Sequence, residues 1–361
     1  GHGALNRSPL TLRVEGGPFI NIRRDRPYGF EADLSGAGSR LHARGSVTRP
    51  FDLGQFQATL SLQGRGLADR YLRTGLTLPT TPVYRLSGAL RRDDSTWTFN
   101  DFDGRVGASD LSGDVKVEAD ERLNVEAQLA SRRLDLDDLT AVLGARPQTN
   151  AAGPDTQVTS GEPGKLLPDA TLQVGRLRTM DGTLTYRAAS MKANDLDVRA
   201  VNLGAELEDG ILKLNPVSFA FNRGELKGAA RIDATRDTPY STVDFRLAGY
   251  PLESIIPAAE GSVPLGGRAL GRARVEGSGA SIHDFAAGSK GSISLVVPQG
   301  EMRAAFAELL GINVGAGLRK LLSGDQSTTE IRCAVADFDV SGGTATAPSL
   351  VMGTGGVLGQ G

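Results

Sequence analysis

One cysteine in 361 residues leaves no partner for an intrachain disulfide and too few thiolates for a cysteine zinc site. Cys333 falls on the apolar side of the alternating run Ile331-Arg-Cys-Ala-Val335, where a small buried hydrophobe fits. Aromatics are scarce as well, with 12 Phe, 6 Tyr and 1 Trp, so a core built on bulky rings is not expected. Neither sign of charge is in excess, 40 Lys and Arg standing against 42 Asp and Glu. That excludes the clustered basic surplus of a nucleic-acid partner. No apolar run reaches the roughly 18 residues of a membrane-spanning helix. No export leader is visible, and Gly1-His2-Gly3 reads as a cloning remnant, so any anchor or export signal is expected upstream.

Catalytic signatures are missing too. The chain has no Gly-x-Ser-x-Gly elbow, no phosphate-binding Gly-x-x-x-x-Gly-Lys-Ser/Thr loop and no His-Glu-x-x-His helix. Gly353-Thr-Gly355-Gly356 lacks the strand-to-helix frame a dinucleotide needs and reads as a flexible turn. His2, His42 and His283 stand at no ligand spacing, and His42 falls on the polar side of its strand, toward solvent. Asp135, Asp137 and Asp138 lack the order of a calcium loop, whereas Asp137-Asp138 suit the positive start of a helix. A carboxylate pair for glycoside hydrolysis is defined by separation in space, and no sequence feature points to one. The expectation is a protein without catalytic residues, metal or cofactor.

What the chain does have is glycine, 47 of them, and alternation. Apolar content is only 39%, below the ordinary range for a globular domain, yet it is patterned. From Pro82 to Leu139, Val115, Val117 and Ala119 alternate with Lys116 and Glu118, and Val125, Ala127 and Leu129 alternate with Glu126 and Gln128. Successive side chains of a strand point to opposite faces, so each run has one apolar and one wet edge. Gly88, Gly104, Gly107 and Gly113 punctuate the runs as turns would. Similar runs start at Leu10, Phe30, Leu41 and Ala58, with a short helix over 67–72, and again at Leu172, Leu184, Leu196, Val201 and Val243. Residues 86–113 resemble 203–228 in this pattern, and LDLDDL (134–139) resembles YPLESI (250–255), which points to an internal repeat. A third copy begins near Gly291.

The expected organisation is a first β part over 4–144, a Pro- and Gly-rich linker over 145–169 and a second β part over 170–298. A helical insert over 299–324 and C-terminal strands over 325–361 follow, the pattern running on as if the natural chain continued. In the insert, Met302, Phe306, Leu309, Leu310, Val314, Leu318 and Leu321 recur at a helical period. Gly311, Gly315 and Gly317 break it into two short helices. Such a segment either caps an apolar sheet face or packs beside it, and its polar face is not basic enough for a membrane surface.

Strand after strand with one apolar edge, few helices and few bulky rings predict a mainly β fold: a long curled antiparallel meandering sheet forming an apolar groove. The wall candidates are Trp97, Phe99, Val115, Val117, Val125, Ala127, Leu129, Leu203, Ala205, Leu207, Leu212, Leu214, Val243, Phe245 and Leu247. Alternation fixes their face but not what that face meets, so an open wall and a core against a second layer both stand. An apolar surface of this extent, if open, calls for a ligand or partner. Acyl chains suit it, each buried methylene gaining about 0.8 kcal/mol without directional polar groups.

Segments 81–118, 131–145 and 309–352 resemble the AsmA family of bacterial envelope proteins, most specifically in Phe102-Asp-Gly-Arg-Val-Gly107, Ser109-Asp-Leu-Ser-Gly113 and Cys333-Ala-Val-Ala-Asp-Phe338. The resemblance implies a periplasmic β-groove related to bridge-like lipid transfer proteins, tethered to the inner membrane by an N-terminal helix absent from this sequence. It also implies phospholipid as cargo, moved toward the outer membrane, and no catalytic residues. A scaffold or assembly factor for outer-membrane proteins, engaging other envelope proteins through open sheet edges, is the competing expectation.

Overall fold

A computed structural model describes residues 2–5, 8–17, 27–36, 38–49, 52–64, 82–138, 174–193, 196–254, 265–304, 327–354 and 358–360. Most of these residues are strand, and they divide into two compact units. One comprises residues 1–213, 233–237 and 280–283, and the other residues 214–232, 238–279 and 284–361. The expected linker 145–169 and the short helix over 67–72 lie outside the described residues.

In the first unit, nine strands follow one another as antiparallel neighbours: β1 (His2–Leu5), β2 (Ser8–Gly16), β3 (Tyr28–Gly36), β4 (Ser39–Arg49), β5 (Asp52–Gly64), β6 (Tyr84–Asp93), β7 (Thr96–Val106), β8 (Ser109–Ala119) and β9 (Leu123–Ser131). His2 and Gly3 pair with Thr11 and Leu10 in β1, so the segment read as a remnant joins the sheet. Two hairpin turns sit at positive φ, at Asp94 (53°) and Gly107 (65°), the conformation that tight turns between twisted strands require.

β10 (Leu134–Asp135), a helix α1 (Val174–Thr179), β11 (Met180–Ala188), β12 (Met191–Ala193) and β13 (Leu196–Glu208) complete this unit. Here the sheet departs from the all-antiparallel expectation: β11 runs parallel to β9 and antiparallel to β13, and β10 runs parallel to β12. A parallel neighbour requires the chain to return to the starting end of the strand, which takes a crossover of roughly a dozen residues or more. Residues 132–179 separate β9 from β11 along the chain.

Two side-chain networks fix this region. Asp138 ends the described part of the LDLDD run, and its Oδ2 accepts from Ala108 N (2.9 Å), Ser109 N (2.9 Å) and Ser109 Oγ (2.6 Å). The aspartate read as a helix starter thus also ties down the β7–β8 turn, while Asp135 Oδ1 accepts the Asp137 N–H at 3.2 Å. Across the parallel join, the Arg122 guanidinium grips both carboxylate oxygens of Asp181 and donates to the carbonyls of Arg178 and Met180. Asp181 Oδ1 also accepts Asp209 N at 2.9 Å, so one carboxylate holds the β8–β9 turn, the start of β11 and the end of β13.

The second unit continues with β14 (Ile211–Phe221), which begins at the border, β15 (Glu225–Asp233), β16 (Tyr240–Pro251), β17 (Leu265–Ser278), helix α2 (Ile282–Ala287), β18 (Lys290–Val297), β19 (Gly300–Arg303), β20 (Thr328–Ser341), β21 (Thr344–Thr354) and β22 (Leu358–Gln360). From β16 the ladder is antiparallel through β17, β18, β20, β21 and β22, with β19 between the ends of β17 and β20. Leu252, Ala269 and Val297 form its small core. Ile331 is fully buried, but Cys333 is exposed, against the buried position read from alternation. The β20–β21 register shifts between Ile331 and Cys333, which breaks the simple period there. Gly353, read as part of a turn, pairs with Cys333 and Leu358 within β21.

Replacing Asp138 with Ala leaves three donors of the β7–β8 turn without their acceptor. It is expected to cost about 1–3 kcal/mol in a urea titration; an unchanged midpoint would show the turn stands without it. The Arg122 guanidinium holds the Asp181 carboxyl below its usual range, assisted by the Asp209 N–H and opposed by desolvation. A depressed carboxyl stabilises the fold above its unfolded value of about 3.9 and loses that contribution as pH falls through the folded value. Asp181→Asn is therefore expected to melt below the wild type at pH 7, the gap closing as pH drops below about 4; a gap independent of pH would refute this.

Candidate functional site: a partly exposed apolar sheet face

Read across the pairing register, three rows of side chains in the first unit share one face. One runs Val14, Ala32, Ala43, Leu60, Gly88, then Phe102, Gly113, Leu129, Tyr186 and Leu203. The next runs Phe30, Gly45, Ala58, Leu90, Phe99, Val115, Ala127, Leu184 and Ala205. The third runs Val47, Phe56, Arg92, Trp97, Val117, Val125, Gly182 and Leu207.

A slip in β7 would have broken these rows. Between Phe99 and Phe102 the register shifts by a bulge, with Asp101 at φ 49° and its N–H donating to Asp114 Oδ1 at 2.9 Å. The extra residue returns Phe102 to the side of Phe99, and the two rings stack with centroids 5.1 Å apart. Gly88 opposite makes the room, since a Cβ there would lie 2.7 Å from the Phe102 Cβ.

The wall candidates Trp97, Phe99, Val115, Val117, Val125, Ala127, Leu129, Leu203, Ala205 and Leu207 all lie in these rows, and each is half-buried. Leu212 and Leu214 share one side of β14, alternating with exposed Lys213 and Asn215. In the second unit, Val243 faces Val275, Phe245 faces Ala273 in a row continued by Ile293 and Phe338, and Leu247 faces Gly271 in a row continued by Leu295 and Ala336. These are half-buried as well. Inner positions of a sandwich interdigitate with an opposing layer and leave the solvent, which these central-strand positions do not do.

One part of this face, over β2–β6, is concave. A concavity of about 520 Å³ is lined by Val14, Gly16, Tyr28, Phe30, Ala32, Leu41, Ala43, Val47, Leu53, Phe56, Ala58, Leu60 and Leu90. Ala43, Ala58 and Leu60 form its buried floor, while Val14 at 58% and Leu53 at 63% exposure stand at its margin. Gly45 belongs to the same floor, where a Cβ would lie 2.0 Å from the Gln57 carbonyl oxygen. An edge-to-face series, Phe30 to Phe56 at 6.5 Å and Phe56 to Trp97 at 5.8 Å, follows one side. Tyr28 is the lining residue with a polar side-chain atom, and its hydroxyl donates to the Gly17 carbonyl. Arg92, in the third row, stacks over Trp97 at 4.7 Å while its Nε donates to the Asp94 carbonyl at 2.9 Å.

The residues of this concavity were absent from the wall candidates, although alternation marks Phe30, Ala32, Ala43, Ala58 and Leu60. The usable signal was the small residues Ala43, Gly45 and Ala58 at alternating positions, which pair beside Phe30 and Phe56. Of the expected capping helix only Met302 is described. It lies in strand β19 rather than a helix, 4% exposed and opposite Leu265 and Thr329, because Gly300–Arg303 complete the pairing between β17 and β20. Phe306, Leu309, Leu310, Val314, Leu318 and Leu321 lie outside the described residues. His42 sits on the opposite, polar face with its Nδ1 2.9 Å from Asp33 Oδ1 and its Nε2 3.9 Å from Glu31 Oε1, all three exposed.

A model of the AsmA family matches residues 33–350. AsmA family protein YhjG of Escherichia coli (strain K12) is 25% identical over 357 residues, which cover 95% of this chain and 52% of that protein. The chain thus spans about half the length of the curated relative it matches. No solved structure matches. With the family model covering most of its length and a meandering sheet apolar on one face, the chain belongs to the AsmA family.

Proposed function

We propose that this chain binds phospholipid acyl chains against its apolar sheet face and passes them along it, without making or breaking a bond. The observation that carries this reading is the partial exposure that apolar positions keep in the middle of paired strands, where a second protein layer would have buried them. The concavity of about 520 Å³ lies within the roughly 300–1,000 Å³ range of ligand pockets. A chain held there gains free energy per methylene and meets no directional group that fixes its position, so it can slide. In keeping with the family, the site of action is the periplasm, with the whole protein tethered to the inner membrane and the cargo moving toward the outer membrane.

Val117 and Ala127 lie on adjacent strands β8 and β9, one register step apart on this face. Val117→Asp with Ala127→Asp places two carboxylates across the path of an acyl chain, which an apolar environment disfavours strongly. The double variant is expected to keep its far-ultraviolet circular dichroism and lose at least tenfold of its co-purifying phospholipid by native mass spectrometry, with Lys116→Ala on the other face as an unaffected control. A folded double variant with undiminished lipid would overturn the reading. A stable envelope-protein partner captured without lipid would favour the scaffold instead.

A further inference from the structure

The opposite face of the first unit carries a different kind of site. Where β4, β5, β6 and β7 meet at one end, a cleft of about 780 Å³ is lined by Arg40, Gln63, Ser87, Arg85, Asp103 and Arg105 among others. Register puts four of these in a single row: Arg40 opposite Gln63, Gln63 opposite Arg85, and Arg85 opposite Arg105. Directly opposed residues stand about 4.5–5.5 Å apart at Cβ, and like charges so placed destabilise a sheet. Some other cations of the polar face do find partners, Lys116 with Glu118 (2.8 Å) and Glu126 (3.5 Å) and Lys213 with Glu206 (3.1 Å).

The three arginines have no ion pair or side-chain hydrogen bond among the described residues. Two acids stand near. Asp103, diagonal to Arg85, is the one carboxylate lining the cleft. Asp110 faces Arg105 across β7–β8, but its oxygens are taken by Arg132 Nε and the backbone N–H groups of Arg132 and Arg133. Three guanidiniums against one carboxylate leave the cleft two positive charges, in a chain whose formal net charge is −2. A repulsive row held open in this way has a physical use where an anion completes it.

We propose that Arg40, Arg85 and Arg105 form a cradle for a phosphate group. Guanidinium matches phosphate geometry through paired N–H donors, and two strand spacings of roughly 9.5 Å between Arg40 and Arg85 let the long side chains converge on one anion from both sides of Gln63. The site faces away from the apolar rows and does not depend on how those are filled. Two sources offer the same chemistry, the headgroup of an acidic phospholipid at a bilayer surface and a free phosphate.

The test uses the purified chain with two probes: unilamellar vesicles of phosphatidylcholine with or without phosphatidylglycerol, in a flotation assay, and inorganic phosphate, in a thermal-shift titration. The wild type is expected to float with the phosphatidylglycerol vesicles and not with phosphatidylcholine alone. Arg40→Gln with Arg85→Gln and Arg105→Gln is expected to weaken that binding at least tenfold, while Arg91→Gln on the same face changes it less than twofold. Competition by millimolar phosphate, with a raised melting temperature, assigns the cradle to the free anion as well; vesicle binding that phosphate leaves unchanged assigns it to headgroups. Should the triple variant not fold, Arg85→Gln alone relieves the opposed charges and is expected to melt no lower than the wild type while binding at least threefold more weakly. Equal binding by wild type and variants, or no binding of either probe, overturns the proposal.

Discussion

Pairing register is the constraint on which the rest of this molecule depends. A strand's side chains alternate with period two, so a slip of one residue anywhere would turn its valines and leucines to water and its charges onto the apolar face. Between antiparallel neighbours the turns guard against this, with Asp94 and Gly107 held at positive φ. Between β9 and β11 no hairpin exists, and the register of Leu123 against Met180 is pinned instead by Arg122 on Asp181. Inside β7, where an added residue would invert one end of the strand, the bulge at Asp101 keeps Phe102 on the side of Phe99.

Held in that register, the first unit must solve a second problem, since one face is apolar and no partner layer is among the described residues. Its solution is graded. Small residues, Ala43, Gly45 and Ala58, occupy the floor, and the rings of Phe30, Phe56 and Trp97 form an edge-to-face series beside them. Some apolar surface is thereby removed from water without being sealed. Full burial of a leucine is worth about 1.5–3 kcal/mol, and margin residues such as Leu53 forgo most of that. A folded chain that tolerates such exposure over many strands draws its stability from continuous backbone pairing and networks such as those of Asp138 and Arg122, more than from a thick core.

Much of this was legible in the sequence because alternation is a local signal. The face of Trp97, Val117 or Leu207 follows from its neighbours one and two residues away. What could not be read was anything set by distant chain. The parallel join of β9 and β11 depends on where the chain returns after residues 132–179, which no local pattern states. Cys333 and Met302 were misread for a related reason: a register shift exposes the first, and pairing with β17 and β20 makes a strand of the second. The arginine row escaped notice because Arg40, Arg85 and Arg105 are far apart in sequence and become neighbours only through three successive registers.

The internal repeat gains a physical meaning from the same geometry. In its first copy the hairpin series β6–β8 is followed by β9 and the LDLDDL run, in which Leu134 is buried; in the second, β13–β15 is followed by β16 and the YPLESI run, in which Leu252, the counterpart of the partly buried Leu136, is buried. Each series has a positive-φ residue at corresponding turns, Asp94 and Asp209 at the first, Gly107 and Gly224 at the second. The repeated element is therefore four strands with positive-φ residues at matching turns, rather than a hairpin alone. Each copy carries its apolar positions on its own strands, so the pattern can recur without contacts between distant copies.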